Sequence, residues 1–304
     1  MEQFLQQIIN GISLGSIYAL IALGYTMVYG IIKLINFAHS DIYMIGAYIG
    51  YFCMTTLRLG FLPSLLAAMV VCTVLGMVIE KVAYKPLRHS PKITVLITAI
   101  GVSMLLEYGT MFFVGPTVRS YPQMTGFLTR TFAIGPLKVG SLEIGTLTVT
   151  MQQIIILAVT ILLMILLQFI VKKTRIGKAM RAVSLDQDAA MLMGINVNSI
   201  ISFNFALGSA LAGAAGVLVG IYYNSINPLM GLLPGLKAFI AAVFGGIGVI
   251  PGAMIGGYFI GIIEVFVSGY GNSMFRDAVV FAILILVLIV KPAGLFGKNT
   301  REKV

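Results

Sequence analysis

Charge is what this chain has least of. Only 10% of its 304 residues are Asp, Glu, Lys or Arg, against about 25% in soluble domains. So few ionised groups cannot cover a water-facing globule of that length, so most of the surface faces lipid. Tryptophan is absent, which leaves Tyr and Phe to supply any interfacial aromatic belt. The two cysteines, Cys53 and Cys72, lie in apolar runs without CxxC or Cys/His spacing. That pattern fits neither a disulfide framework nor a metal site. No GxxxxGK[ST] phosphate loop occurs; the nearest string, running from Gly294 through Gly297 and Lys298 to Asn299, is too short and lacks the Ser or Thr. There is no serine-nucleophile motif and no metal-ligand cluster. The expectation is a chain with no catalytic residues, no metal and no cofactor of its own.

What is present is apolar length: 59% of the residues are hydrophobic. A membrane span needs about 20 mostly apolar residues. Runs that qualify lie near 4–30, 61–80, 93–113, 149–171, 197–221 and 275–291. The stretch 34–57 reads as one further span, open to a break. The stretch 236–270 reads as two short spans meeting near Pro251. The expected fold is an all-α polytopic membrane protein of about nine transmembrane helices, with eight or ten as alternatives. It is read as a single transmembrane domain over 1–304 in the cell (plasma or inner) membrane.

The net charge is +10. Nucleic-acid binding fits poorly, because the bases fill short gaps between apolar runs. Segments 81–92, 172–181 and 291–304 hold thirteen of the twenty Lys and Arg residues, which places them in the cytoplasm. The segment 114–147 then lies outside, and three spans before Lys81 put the N-terminus outside. The opening Met-Glu-Gln lacks a basic flank, so the first apolar run is expected to be retained. The outer segment 114–147 carries the turn formers Gly115-Pro116, Tyr121-Pro122 and Gly135-Pro136, with Arg119, Arg130 and Lys138. It is either an ordinary connector or a docking surface for an extracytoplasmic partner.

The cytoplasmic segment 172–196 is the most informative. Ser184 precedes Gln187 by three residues, a capping-box spacing. Asp186 and Asp188 fall in the first turns, where negative charge suits the helix dipole. Gly194 suits a C-terminal stop. The spacing predicts a short capped helix from about 185 to 193. Its apolar face, Leu185, Ala189, Leu192 and Met193, must be buried on the bilayer surface or in a groove of another protein.

The run Asp188-Ala189-Ala190, then three residues, then Gly194, resembles the EAA loop of ABC importer permeases, with Asp where Glu is usual. Two further stretches, LINFAHSDIYMIGAYIG (34–50) and KAFIAAVFGGIGVIPGAMIGGYFIGIIE (237–264), resemble signature segments of the branched-chain amino acid permease family, in its LivH-type branch. The resemblance covers essentially the whole chain. It implies a coupling helix seated in a cleft of an ATPase, with Arg181, Ser184, Asp186, Asp188, Ala189, Ala190 and Gly194 in the coupling segment. It also implies two ATP-binding subunits, a second related permease subunit, an extracytoplasmic binding protein and alternating access, with leucine, isoleucine or valine as cargo.

Few polar residues interrupt the apolar runs: Asn36, His39, Asp41, Glu107, Asn204 and Glu264. An ionisable group at membrane depth is a functional candidate, and Asn36, His39, Glu107 and Glu264 are taken as candidates for the translocation path. Gly245, Gly246, Gly248, Pro251 and Gly252 allow either tight helix packing or a hinge, and Pro251 is expected to break a helix. Two other readings stay open. One is the same fold with other cargo, such as urea, a short amide or a sugar. The other is an ion-driven secondary transporter.

Overall fold

The computed structural model describes residues 2–33, 36–88, 90–122, 129–135, 137–139, 142–144, 146–291 and 293–297. Pro136 of the outer segment, and Lys298, Arg301 and Lys303 of the basic segment 291–304, lie outside these residues. Among the described residues the chain is a helical bundle. Its helices are α1 (Glu2–Ile32), α2 (His39–Thr55), α3 (Phe61–Ile79), α4 (Lys92–Val114), α5 (Met151–Lys173), α6 (Arg175–Leu185), α7 (Gln187–Leu192), α8 (Val197–Tyr223), α9 (Leu232–Gly245), α10 (Ile250–Tyr270) and α11 (Arg276–Val290). Short antiparallel pairs dress the outer connections. Arg119–Ser120 pairs with Ser225–Ile226, Thr131–Ile134 with Leu147–Thr150, and Leu137–Val139 with Leu142–Ile144.

Among the described residues seven helices are long and apolar enough to cross a membrane. The remaining two apolar helices, α2 with 17 residues and α9 with 14, span only about 25 and 21 Å at 1.5 Å per residue. That is less than the roughly 30 Å of a hydrocarbon core, so neither crosses alone.

Residue size decides which helices are central. In α1 and α8, 83% of the apolar window is buried, against 11% in α4 and α11. The central pair is rich in Gly, Ala and Ser, and small residues let backbones approach in a solvent that offers no hydrophobic drive between helices. Gly11, Gly15 and Ala19 on α1 face Gly257, Tyr258, Gly261 and Ile262 on α10. A Cβ added at Gly261 would stand 2.3 Å from the Gly15 Cα. The peripheral helices instead present large apolar side chains outward, such as Leu105, Phe112, Phe113 and Ile289.

Hydrogen bonds fix which ends share a side. Gln6 Nε2 donates to the Thr148 carbonyl at 2.9 Å, so α1 starts on the side of the 114–147 segment. Gln187 Nε2 donates to the Ile31 carbonyl at 3.1 Å, so α1 ends beside α7. With the basic segments cytoplasmic, the chain begins outside and α11 returns it inside.

The two helices expected to meet near Pro251 are α9 and α10, but only α9 is short, and the helix break expected at Pro251 is corrected. Gly246 (φ +98°) and Gly248 (φ +90°) make the turn over 246–249, and α10 that follows runs 21 residues. Pro251 stands in the first turn of α10, where a missing N–H leaves no intrahelical bond unmade. It starts a helix and breaks none. Gly245 and Gly252 then let α9 and α10 touch: a Cβ at Gly245 would be 2.0 Å from the Gly252 carbonyl oxygen.

Candidate functional site

The cytoplasmic face is built from α6 and α7. Thr174 caps α6 by accepting from Gly177 N–H at 3.0 Å. Arg181 reaches back from α6 to donate to the Val171 carbonyl near the end of α5. The chain breaks at Asp186, whose Oδ1 accepts from the N–H groups of Asp188 (2.9 Å) and Ala189 (3.0 Å). Asp186 is therefore the N-cap of α7. The expected Ser184–Gln187 capping box is corrected: Ser184 lies inside α6 and donates to the Arg181 carbonyl at 2.8 Å, while Gln187 ties to α1. The short helix expected from about 185 to 193 is α7, Gln187–Leu192, which starts two residues later because Leu185 ends α6. Gly194 takes φ +81°. Gly194 N–H bonds Met191 O, and Ile195 N–H bonds Ala190 O. These two bonds make a Schellman closure.

Of the α7 side chains only Ala190 is buried. Leu185 is 85% exposed, Leu192 89% and Met193 82%, and Asp188 and Ala189 are also open. An apolar surface of this kind at the end of a well-capped helix must be covered, by lipid or by another protein.

Directly above α6 is a cavity of about 360 Å³, bounded by α1, α6, α8 and the 246–249 turn. Lys33, Arg181 and Ser184 line its mouth, and Thr26 and Asn204 line its deep wall. One turn further in stands His39. Its ring lies against Gly24, where an added Cβ would be 2.1 Å from His39 Nε2, and near Gly208. Tyr25 packs edge-on to His39 with centroids 4.9 Å apart.

His39 opens α2, and its neighbours fix its depth. Gly24 is eight residues from the inner end of α1, and Gly208 is eleven from the start of α8. At 1.5 Å per residue α2 therefore begins about 12–16 Å inside the bundle. The start of α9 comes to the same place: Gly231 contacts Asp41, and Gly235 contacts Ser40. Two helix N-termini thus meet within the bundle, with the fully buried Asp41 carboxylate between them, where their dipoles favour negative charge. Ser103 on α4 donates to Asp41, and Glu107 lies within hydrogen-bond reach of it. Asn36 accepts from Tyr84 at 2.6 Å. Asn36, His39 and Glu107 accordingly belong to one neighbourhood.

Glu264 does not join them. It lies nearer the outer side, with Lys237 Nζ 2.7 Å from its Oε1 and Tyr18 OH donating to its Oε2 at 2.7 Å. Lys237 also stands 2.6 Å from Asp277 Oδ1, and Arg276 stands 3.5–3.7 Å from both carboxylates. A second cavity, of about 250 Å³, lies over this cluster and is lined by Gln7, Asn10, Tyr222, Tyr223, Glu264 and Arg276.

Two charged residues at the centre of this geometry were not singled out from the sequence. Lys237 is the sole base between Arg181 and Arg276, and that isolation in an apolar stretch was the available signal. Glu80 is 1% exposed, pairs with Arg88 and accepts from Ser202 at 2.6 Å. It stands where the helical path of α3 continues through a wider turn to Leu87. Among the described residues no three His, Cys, Asp or Glu side chains cluster to hold a metal.

A lipid-embedded helical bundle in which two short helices meet inside at polar groups, with a cavity towards each side and an uncovered helix on the cytoplasmic face, is the frame of a transport subunit. The chain belongs to the family described as "Branched-chain amino acid transport system / permease component", whose model matches residues 7–288. It is 43% identical over 309 aligned residues to the high-affinity branched-chain amino acid transport system permease protein LivH of Escherichia coli strain K12, covering 99% of this chain and 98% of the relative. It is 42% identical to BraD of Pseudomonas aeruginosa, with the same coverage. A probable LivH from Methanocaldococcus jannaschii is 30% identical, covering 94% of this chain and 90% of the relative.

Proposed function

We propose that this chain is the membrane permease of an ATP-driven importer that admits leucine, isoleucine and valine. An external binding protein delivers the amino acid, a second related permease subunit completes the channel, and two separate chains hydrolyse the ATP. The bare apolar face of α7 carries the partner assignment. Leu192 and Met193 are apolar, uncovered and held on a helix fixed at both ends, which is what a cleft in a partner requires.

Motion at α7 has two direct routes inward. Gln187 is bonded to the last turn of α1, and α1 runs as one 31-residue helix to the outer face. The α6 residues Met180, Arg181 and Ser184 form part of the inner cavity wall. A shift of the α6–α7 unit therefore moves the cavity wall and α1 together. Arg181, Ser184, Asp186, Asp188, Ala189, Ala190 and Gly194 act in this coupling segment. His39, with Asn36 and Glu107 nearby, serves as the inner gate, and the Lys237–Glu264 cluster serves as the outer one.

The test is uptake of labelled leucine into vesicles bearing the whole complex. Asp188→Lys and Gly194→Trp are expected to remove the ATPase chains from the purified complex and abolish uptake, at normal membrane levels of this chain. Leucine uptake that persists without any ATPase chain, driven by an ion gradient, would overturn the proposal.

A further inference from the structure

The inner cavity has a composition that the gate assignments leave unexplained. At its deep wall are two side chains, Thr26 and Asn204, each 1% exposed. Among the described residues, Thr26 Oγ1 and Asn204 Oδ1 have no hydrogen-bond partner. The Asn204 amide is not free to turn. Its Nδ2 donates to the Met27 carbonyl, an acceptor only, so the oxygen must face the other way. An acceptor left bare at this depth costs about 1–3 kcal/mol and is retained where something else occupies it.

The side walls are aliphatic, with Met27, Ile31, Met180, Ile247 and Ile250. The mouth is basic. Lys33 is exposed, and Arg181 commits one guanidinium nitrogen to Val171, which leaves further donors. The volume of about 360 Å³ is at the small end of the range for ligand sites, roughly 300–1,000 Å³.

We infer that this cavity is an inward-facing holding site for a zwitterionic amino acid with an aliphatic side chain. Asn204 Oδ1 and Thr26 Oγ1 accept from its α-ammonium group, the Met and Ile wall takes the side chain, and Lys33 and Arg181 face its carboxylate. The acceptors are neutral, so the ammonium is hydrogen-bonded without a full counter-charge, which suits a site that must release its occupant to the cytoplasm. The inference rests on the amino-acid reading of the transport function, and it names the residues that touch the cargo.

The experiment places a cysteine on the cavity wall, Met180→Cys, in the complete complex in inside-out vesicles, and follows its alkylation by a small thiol reagent. The native Cys53 and Cys72 are buried. Saturating leucine is expected to slow alkylation at least fivefold. Leucinamide, which lacks the carboxylate, and 4-methylpentanoate, which lacks the ammonium, are expected to slow it less than twofold. Adding Asn204→Leu or Thr26→Val should remove leucine protection; Asn204→Asp, which supplies a counter-charge, should strengthen it and slow release. Equal protection by 4-methylpentanoate, or none by leucine, overturns the inference. Uptake of labelled leucine by the same complex in right-side-out vesicles, with the binding protein outside and ATP within, separates the two layers. Leucine uptake without protection sinks only this site, whereas absent leucine uptake sinks the cargo assignment beneath it.

Discussion

Lys237 offers the sharpest test of the fold energetics. Its side chain is 4% exposed and that of Glu264 is 3%. At 2.7 Å and an effective dielectric of about 20, their attraction is about 6 kcal/mol before desolvation is counted. Desolvation cancels much of that gain, so the intact pair adds little beyond an apolar replacement. Removing one partner is different, because it strands the other charge, at a cost of about 3–5 kcal/mol. Lys237→Met keeps the length of the chain and removes the charge. It leaves Glu264 with the Tyr18 hydroxyl and with Arg276 at 3.7 Å. At about 2–4 °C per kcal/mol, we expect melting in nanodiscs to fall by about 6–20 °C. Adding Glu264→Gln removes the stranded charge and retains an oxygen for Tyr18, so the double variant should regain more than half of the loss. Asp277, with a third of its side chain exposed, can rehydrate and should limit the recovery little. If the two single losses simply add, within about 0.5 kcal/mol, the buried-pair account is wrong.

Three further outcomes follow from the geometry. Asp186→Ala should cost α7 its N-cap, about 1 kcal/mol, and raise amide exchange at Asp188 and Ala189 roughly fivefold; Ser184→Ala should leave both amides unchanged, and the reverse pattern would restore Ser184 as the cap. Gly261→Val should abolish accumulation of folded chain in the membrane, because its Cβ would enter α1 at 2.3 Å from the Gly15 Cα, whereas Gly101→Val, which meets nothing within 4 Å, should accumulate normally; equal levels would refute the close α1–α10 contact. In right-side-out vesicles an impermeant thiol reagent should label Gln3→Cys and leave Leu185→Cys unlabelled until the membrane is opened, and the opposite result would invert the topology.

The long helices were legible because runs such as 149–171 or 197–221 reach the length a bilayer span needs, while the side assigned to each end rests on the basic residues gathered in three gaps. The Gly194 stop was equally readable, since a positive φ is a local demand that one residue type meets best. Local pattern misled where two candidates satisfied the same rule. Ser184 and Asp186 are both good capping residues, and the choice fell to Asp186 because α6 runs through Ser184 to Leu185, a consequence of packing against α5 and α1. Pro251 misled for a related reason. A proline ends one helix or starts the next with the same ring, and only the glycine turn before it decides which.

The candidate path residues were harder to read, because their meaning depends on depth. Asn36, His39 and Asp41 look interfacial in a sequence where Lys33 lies just before them. The fold instead folds the chain back after Lys33, so that α2 starts inside the bundle opposite the start of α9. Two short helices expose unpaired amides at such a meeting point, and hydrocarbon cannot satisfy them. They persist only where protein surrounds them, which explains why the interruption lies against the most buried helices, α1 and α8, and why a carboxylate stands between the two N-termini. The same requirement accounts for the glycines at 24, 208, 231 and 235. Those at 24, 231 and 235 clear room for a polar side chain of α2, so glycine here marks the polar centre of the bundle as well as its helix contacts. Glu264 falls outside that centre because α10 starts on the inner side and carries it past the midpoint, to where Lys237 reaches up from α9. A buried acid and a buried base 27 residues apart are joined only by the α9–α10 hairpin, and its turn is made by Gly246 and Gly248.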